Sequence, residues 1–214
     1  MHKKEVFAWG MYDLANTAFS ALFVTFFFPL YIKHYLGGTE FQIGLVFGLS
    51  MLLVGLLVPL IGALSDELKR RMPFIILFTT LCCAFTYLVS YGNLKIALMF
   101  GFLANFFYHA ALTVYNAILP KLTEKKNLGF VSGIGVAMGY LGTLGSLIVA
   151  WFLLDYYGWE TLTGTKAMFA ATAIFFFGFS MITFFFIKEK HIPDKKTFFN
   201  YILSAFISVK NTFV

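Results

Sequence analysis

The 214 residues are 60% hydrophobic, 20% aromatic and only 12% charged, with a mean hydropathy of +0.82. That balance excludes a water-soluble globule, which could not expose so much apolar surface without aggregating. The net charge of +6 invites a nucleic-acid reading, but basic residues in so apolar a chain report membrane topology, and no nucleic-acid partner is expected.

A bilayer core about 30 Å thick takes roughly 20 helical residues to cross. Six apolar runs have that length: 7–32, 41–64, 73–91, 96–119, 130–154 and 167–187. A β-barrel would need segments of alternating polarity, and 52–61 and 174–179 do not alternate. The expected fold class is therefore all-α: six transmembrane helices bundled over residues 1–190. The bilayer is the first expected partner.

The first run is far longer than a signal-peptide core and has no small-residue processing site at its end, so it is expected to remain as a span. About two turns inside it stands Asp13, where a carboxylate costs at least a few kcal/mol unless it meets water, a partner or a proton. Asn16 follows one turn later on the same face, with Trp9 and Tyr12 alongside. Asp13 either lines a cavity together with Asn16 or pins the helix near the interface.

The second run ends in a polar, basic loop that carries Arg70 and Arg71. In the third, Cys82 and Cys83 are adjacent and have no partner elsewhere for a disulfide or a metal, so they are read as packing residues. The chain then divides at 92–95 into two groups of three spans. Groups that start on opposite faces have the topology of a 3+3 inverted repeat, although no residue-level match joins them.

The fourth run carries a polar stripe of Asn105, His109 and Asn116, flanked by Tyr108 and Tyr115. His109 falls near mid-membrane, where it can relay protons or simply bond to another helix. Because the fourth span runs antiparallel to the first, Asn116 is expected at the depth of Asp13, with the two stripes facing one cavity. The fifth run has Ser132, Gly135, Gly139, Gly142 and Ser146 at three- and four-residue steps, a face that lets another helix approach closely, for packing or for sliding. After the sixth comes a polar stretch interrupted by Pro193, and then an amphipathic segment. The tail, 191–214, is expected to be a linker helix lying on the cytoplasmic interface.

Thirteen of the sixteen Lys and Arg fall on one side of this topology, leaving Lys33, Lys95 and Lys166 on the other. The expected orientation has both termini cytoplasmic. No nucleophile stands with a base and an orienting acid, no ligand cluster has metal spacing, and the glycines of the fifth run lack the Lys of a phosphate loop. An enzyme, a metal site and a cofactor are not expected.

The loop after the second span reads Gly62-Ala-Leu-Ser-Asp66-Glu-Leu-Lys-Arg70-Arg71. It resembles the signature of the major facilitator superfamily between its second and third helices, with Glu67 and Lys69 standing where that family usually has a basic residue and a glycine. The resemblance implies that Gly62, Asp66, Arg70 and Arg71 form a cytoplasmic gate. A narrower resemblance lies in Trp9-Gly-Met-Tyr12-Asp13-Leu-Ala-Asn16-Thr-Ala-Phe19, in Tyr115-Asn116-Ala-Ile-Leu119-Pro120, and in the fifth-span glycines. These look like the family of fungal vacuolar amino-acid effluxers linked to autophagy, and its bacterial relatives of unassigned substrate.

What the resemblance implies is one half-bundle of a twelve-span secondary transporter of a small solute, a neutral amino acid in some members, working by alternating access. Tyr12, Asp13, Asn16, Asn105, Tyr108, His109, Tyr115 and Asn116 are the candidate substrate or proton cavity, with proton coupling through Asp13 or His109. The expected partners are the solute and a second six-helix half, or a second copy if the chain is a natural half-transporter. The rivals are a non-transporting six-helix scaffold and a lipid or peptide translocator. The absence of a targeting segment favours a bacterial inner membrane over an organelle.

Overall fold

A computed structural model of the chain describes residues 3–67 and 70–189, without the side chains of Asp66 and Glu67. The expected linker helix at 191–214 and the loop residue Lys69 lie outside the described residues. Six helices are long and apolar enough to cross a membrane, and among the described residues there are no strands. They are α1, Lys3–Tyr35; α2, Glu40–Glu67; α3, Met72–Leu88, continued by a 3₁₀ turn Val89–Tyr91; α4, Leu94–Asn116; α5, Leu128–Tyr157; and α6, Leu162–Phe186.

Most helices outrun their apolar stretches, because backbone hydrogen bonding continues through the polar residues of the interface at no cost in lipid contact. Their ends follow local rules. Asn93 accepts from the Ile96 amide at the start of α4 (3.1 Å) and Thr161 from the Gly164 amide at the start of α6 (2.9 Å). Gly158 ends α5 at φ 97°, a conformation that costs glycine nothing.

The second half of α1 departs from regular geometry. Ser20–Phe27 and Tyr31–Tyr35 are wound as π-helix, separated by one α-turn at Phe28–Leu30. Pro29 lacks an amide hydrogen, and its ring crowds the carbonyl four residues earlier, which here is relieved by π-winding, whereas Pro59 is carried inside α2 without it. The Thr25 hydroxyl bonds back to Ser20 O at 3.2 Å.

In the bundle α1 packs on α5 and α6, α4 packs on α2 and α3, and α3 packs on α6. Exchanging the first three helices for the last three leaves that pattern unchanged, except that α5 also touches α6. Polar side chains tie the pairs together: the Tyr12 and Thr79 hydroxyls (2.7 Å), Asn105 Nδ2 to Ser50 Oγ (2.6 Å), and Thr183 Oγ1 to Ala8 O (2.6 Å). Each such bond spares two polar groups from hydrocarbon.

The seam between α1 and α5 is built from small residues. The buried residues of α5 form one stripe, Val131, Gly135, Gly139, Gly142, Ser146, Ala150 and Leu154. Ser132 lies beside this stripe. A Cβ at Gly142 would run into the backbone of Leu14, one at Gly139 into Thr17, and one at Gly135 into Asp13 and Trp9, whereas Gly145 faces open space. Gly142→Leu is accordingly expected to lower the unfolding midpoint in detergent by about 4 to 10 °C, and Gly145→Leu to leave it nearly unchanged.

Candidate functional site

Asp13 lies ten residues into α1, about 15 Å from its start. It is half-buried on the face turned to α5, with one oxygen over Gly135. Its Oδ1 accepts from Asn16 Nδ2 at 3.1 Å, and Asn16 in turn accepts from Thr17 Oγ1 at 3.4 Å. Asn16 is only 4% exposed. No cation pairs with the carboxylate among the described residues.

The wall beside Asp13 is aromatic. Trp9 stacks on Tyr115 of α4 with ring centroids 4.9 Å apart, and Tyr12 stacks on the same ring at 4.5 Å. The Tyr115 hydroxyl donates to Trp9 O at 2.8 Å, joining α4 to α1. Tyr108 meets Phe19 of α1 (4.8 Å) and Phe176 of α6 (6.3 Å). All three tyrosines of the candidate cavity are buried, two of them completely. Tyr12 turns its hydroxyl to Thr79 of α3. Trp9 Nε1 is buried and has no acceptor among the described residues.

The polar stripe of α4 divides. Asn105, 1% exposed, turns to α2 and bonds Ser50, leaving its Oδ1 without a donor among the described residues. His109 and Asn116 open instead onto a cleft of about 230 Å³ walled by Met51, Val54 and Gly55 of α2. That cleft does not include Asp13. At 100° per residue the three positions span only about 40° of the wheel, so the stripe keeps to α2 throughout and divides by depth.

At the membrane face that carries the amino terminus, the loop motif does two things. Arg71 Nη1 donates to Ala117 O at the end of α4. Glu189, just past α6, accepts the backbone amides of Arg71 (2.6 Å) and Met72 (2.9 Å), so a carboxylate caps the start of α3. The ends of α3, α4 and α6 are thereby fastened together. Arg70 is exposed and lines a small cleft with Pro73, Phe74 and Leu77, and Gly62 faces open space. Sequence reasoning did not single out Glu189. Its only signal is an acidic residue in an otherwise basic stretch, and its partner is more than a hundred residues away.

A family model of the Major Facilitator Superfamily matches residues 14–210. An uncharacterized protein of Aquifex aeolicus (strain VF5) is 33% identical over 157 residues, 72% of this chain and 39% of the relative. The uncharacterized MFS-type transporter YxiO of Bacillus subtilis (strain 168) is 24% identical over 157 residues, 69% of this chain and 37% of the relative. Multidrug resistance protein MdtG of Salmonella typhi is 28% identical over 209 residues, 92% of this chain and 48% of the relative. The chain thus spans less than half the length of these curated relatives. No solved structure matches it.

Replacing Glu189 by Ala removes the acceptor of two amides and should loosen the start of α3 by about 1 to 2 kcal/mol. Limited trypsinolysis at the Arg70–Arg71 bond is then expected to run roughly 5 to 30 times faster than in the parent, with Glu189→Gln in between.

Proposed function

The chain belongs to the major facilitator superfamily, and we propose that it forms one six-helix half of a secondary active transporter that moves a small solute by alternating access. The observation that carries this reading is Asp13. An ionisable group held inside a span by neutral partners alone, the Asn16 amide and the Tyr115 hydroxyl, with no cation beside it among the described residues, is kept for a proton or a charged ligand.

Two supports stand next to it. The Trp9 indole is a buried donor with no acceptor among the described residues, and a bound solute or water completes such a group. Asp13 is half-buried beside the mutually stacked rings of Trp9, Tyr12 and Tyr115, and a carboxylate in so apolar a setting attracts an ammonium group by its charge. A neutral amino acid carries one, in keeping with the resemblance to amino-acid effluxers. So do many drugs, in keeping with the relative named for multidrug resistance. We take the ammonium as the shared recognition element and Asp13 as the group that exchanges it for a proton.

A second bundle is the expected partner. A Cβ added at Gly44, Gly48, Gly55 or Gly62 of α2, or at Gly129, Gly133 or Gly145 of α5, would meet nothing within 4 Å among the described residues. In membranes, glycines without neighbours on one face suit close approach by another helix. The Arg71 and Glu189 contacts, together with Asp66 and Arg70, then serve as the cytoplasmic gate, with both termini inside and the protein in a bacterial inner membrane.

The scaffold reading draws on Asn105, whose bond to Ser50 glues two helices and serves nothing else. Transport assays separate the two. With the whole gene product in proteoliposomes, a pH gradient is expected to drive saturable uptake of a neutral amino acid or a cationic drug, and Asp13→Asn is expected to abolish the gradient-driven part. Unchanged flux and pH dependence in Asp13→Asn would sink the role given to Asp13. Protection of Asn16→Cys from water-soluble thiol reagents in every condition would favour the scaffold.

A further inference from the structure

Two clefts on the lipid side of α6 play no part in the site described above. The first, about 350 Å³, is walled by Phe7 of α1 and by Ile182 and Phe186 of α6, with Lys3 and Lys4 at its mouth. The second, about 790 Å³, runs between α5 and α6 past Phe175, Gly178 and Phe179, and shares Ile182 with the first. We refer to the two, which adjoin at Ile182, as an apolar channel along α6, with Lys3 and Lys4 at one end.

We propose that an anionic phospholipid occupies this channel, its phosphate on Lys3 and Lys4 and one acyl chain against Phe7, Ile182 and Phe186. Charge and length both fit. Both lysines are exposed and neither has an ion pair among the described residues. A basic pocket between helices at the headgroup level binds anionic lipid heads. One leaflet of the hydrocarbon core is about 15 Å deep, or roughly ten residues of α6. A chain that starts beneath Lys3 at the level of Phe186 therefore ends near Phe176, beside the Phe175 and Gly178 that line the second cleft.

The chain's own continuation suits the mouth less well. Residues 188–196 carry four lysines against Glu189 and Asp194, so this stretch repels the two ammonium groups that a phosphate would neutralise. The proposal does not depend on the transport reading, since it concerns only how the bundle is seated in lipid.

Native mass spectrometry of the whole gene product, titrated in detergent with palmitoyl-oleoyl phosphatidylglycerol or with the phosphatidylcholine of the same chains, tests it. Phosphatidylglycerol is expected to bind more tightly, and the Lys3→Gln/Lys4→Gln double variant to lose that preference by at least about tenfold. The control is Lys125→Gln/Lys126→Gln, which removes two exposed lysines from the same face that line neither cleft, and it should keep the preference. Equal losses in the two double variants, or equal binding of the two lipids by the parent, overturn the proposal. As a second arm, Phe7→Ala is expected to weaken both lipids alike, because it removes chain contact and no charge.

Discussion

The arrangement of this bundle depends on α5 being able to lie directly against α1. Hydrocarbon gives two helices no hydrophobic reason to associate, so contact must come from close packing and from polar groups that prefer each other to lipid. Gly135, Gly139 and Gly142 supply the closeness: side chains there would meet Asp13, Trp9, Thr17 and the Leu14 backbone. The absence of three Cβ atoms thus decides that Asp13 is turned into protein and not toward an acyl chain.

The same economy explains the polar residues. Hydroxyls and amides inside the spans bond back to their own helix or reach a neighbouring one, as Tyr12 does with Thr79, Asn105 with Ser50, Thr183 with Ala8 O and Tyr115 with Trp9 O. Against that background, Asp13 stands out because its partners, the Asn16 amide and the Tyr115 hydroxyl, are all neutral. A neutral network can be content with glue; a carboxylate in the same surroundings still lacks a counter-charge. Trp9 Nε1, an orphan donor on the same turn, has the same character.

The bundle is joined differently at its two levels. Along their length α1 and α4 are held by ring contacts, Trp9 and Tyr12 stacked on Tyr115 and Phe19 tilted against Tyr108, together with the hydrogen bond from the Tyr115 hydroxyl to Trp9 O. At the face carrying the amino terminus, Arg71 and Glu189 fasten α3, α4 and α6 through directional bonds to backbone groups at helix ends. The π-wound second half of α1, from Ser20 onward, lies at the other extreme.

The sequence by itself determined the fold class, the six spans and the oddity of Asp13. Each rests on hydropathy along one dimension, where a lipid core imposes a length of about 20 residues and a penalty on any charge. The small-residue face of α5 was legible for the same reason, since its spacing is a property of one helix. Only the tertiary structure decided what each face meets. The α4 stripe, which reads as a wall opposite Asp13, faces α2 instead, Asn105 bonding Ser50 while His109 and Asn116 open on a cleft beside the same helix. Tyr12, Tyr108 and Tyr115 read as cavity residues and are buried in the core. Glu189 reads as an incidental acid and caps a helix 117 residues before it. Rotation of a helix about its axis costs nothing locally and is fixed by its neighbours, so no pattern within one span can carry it.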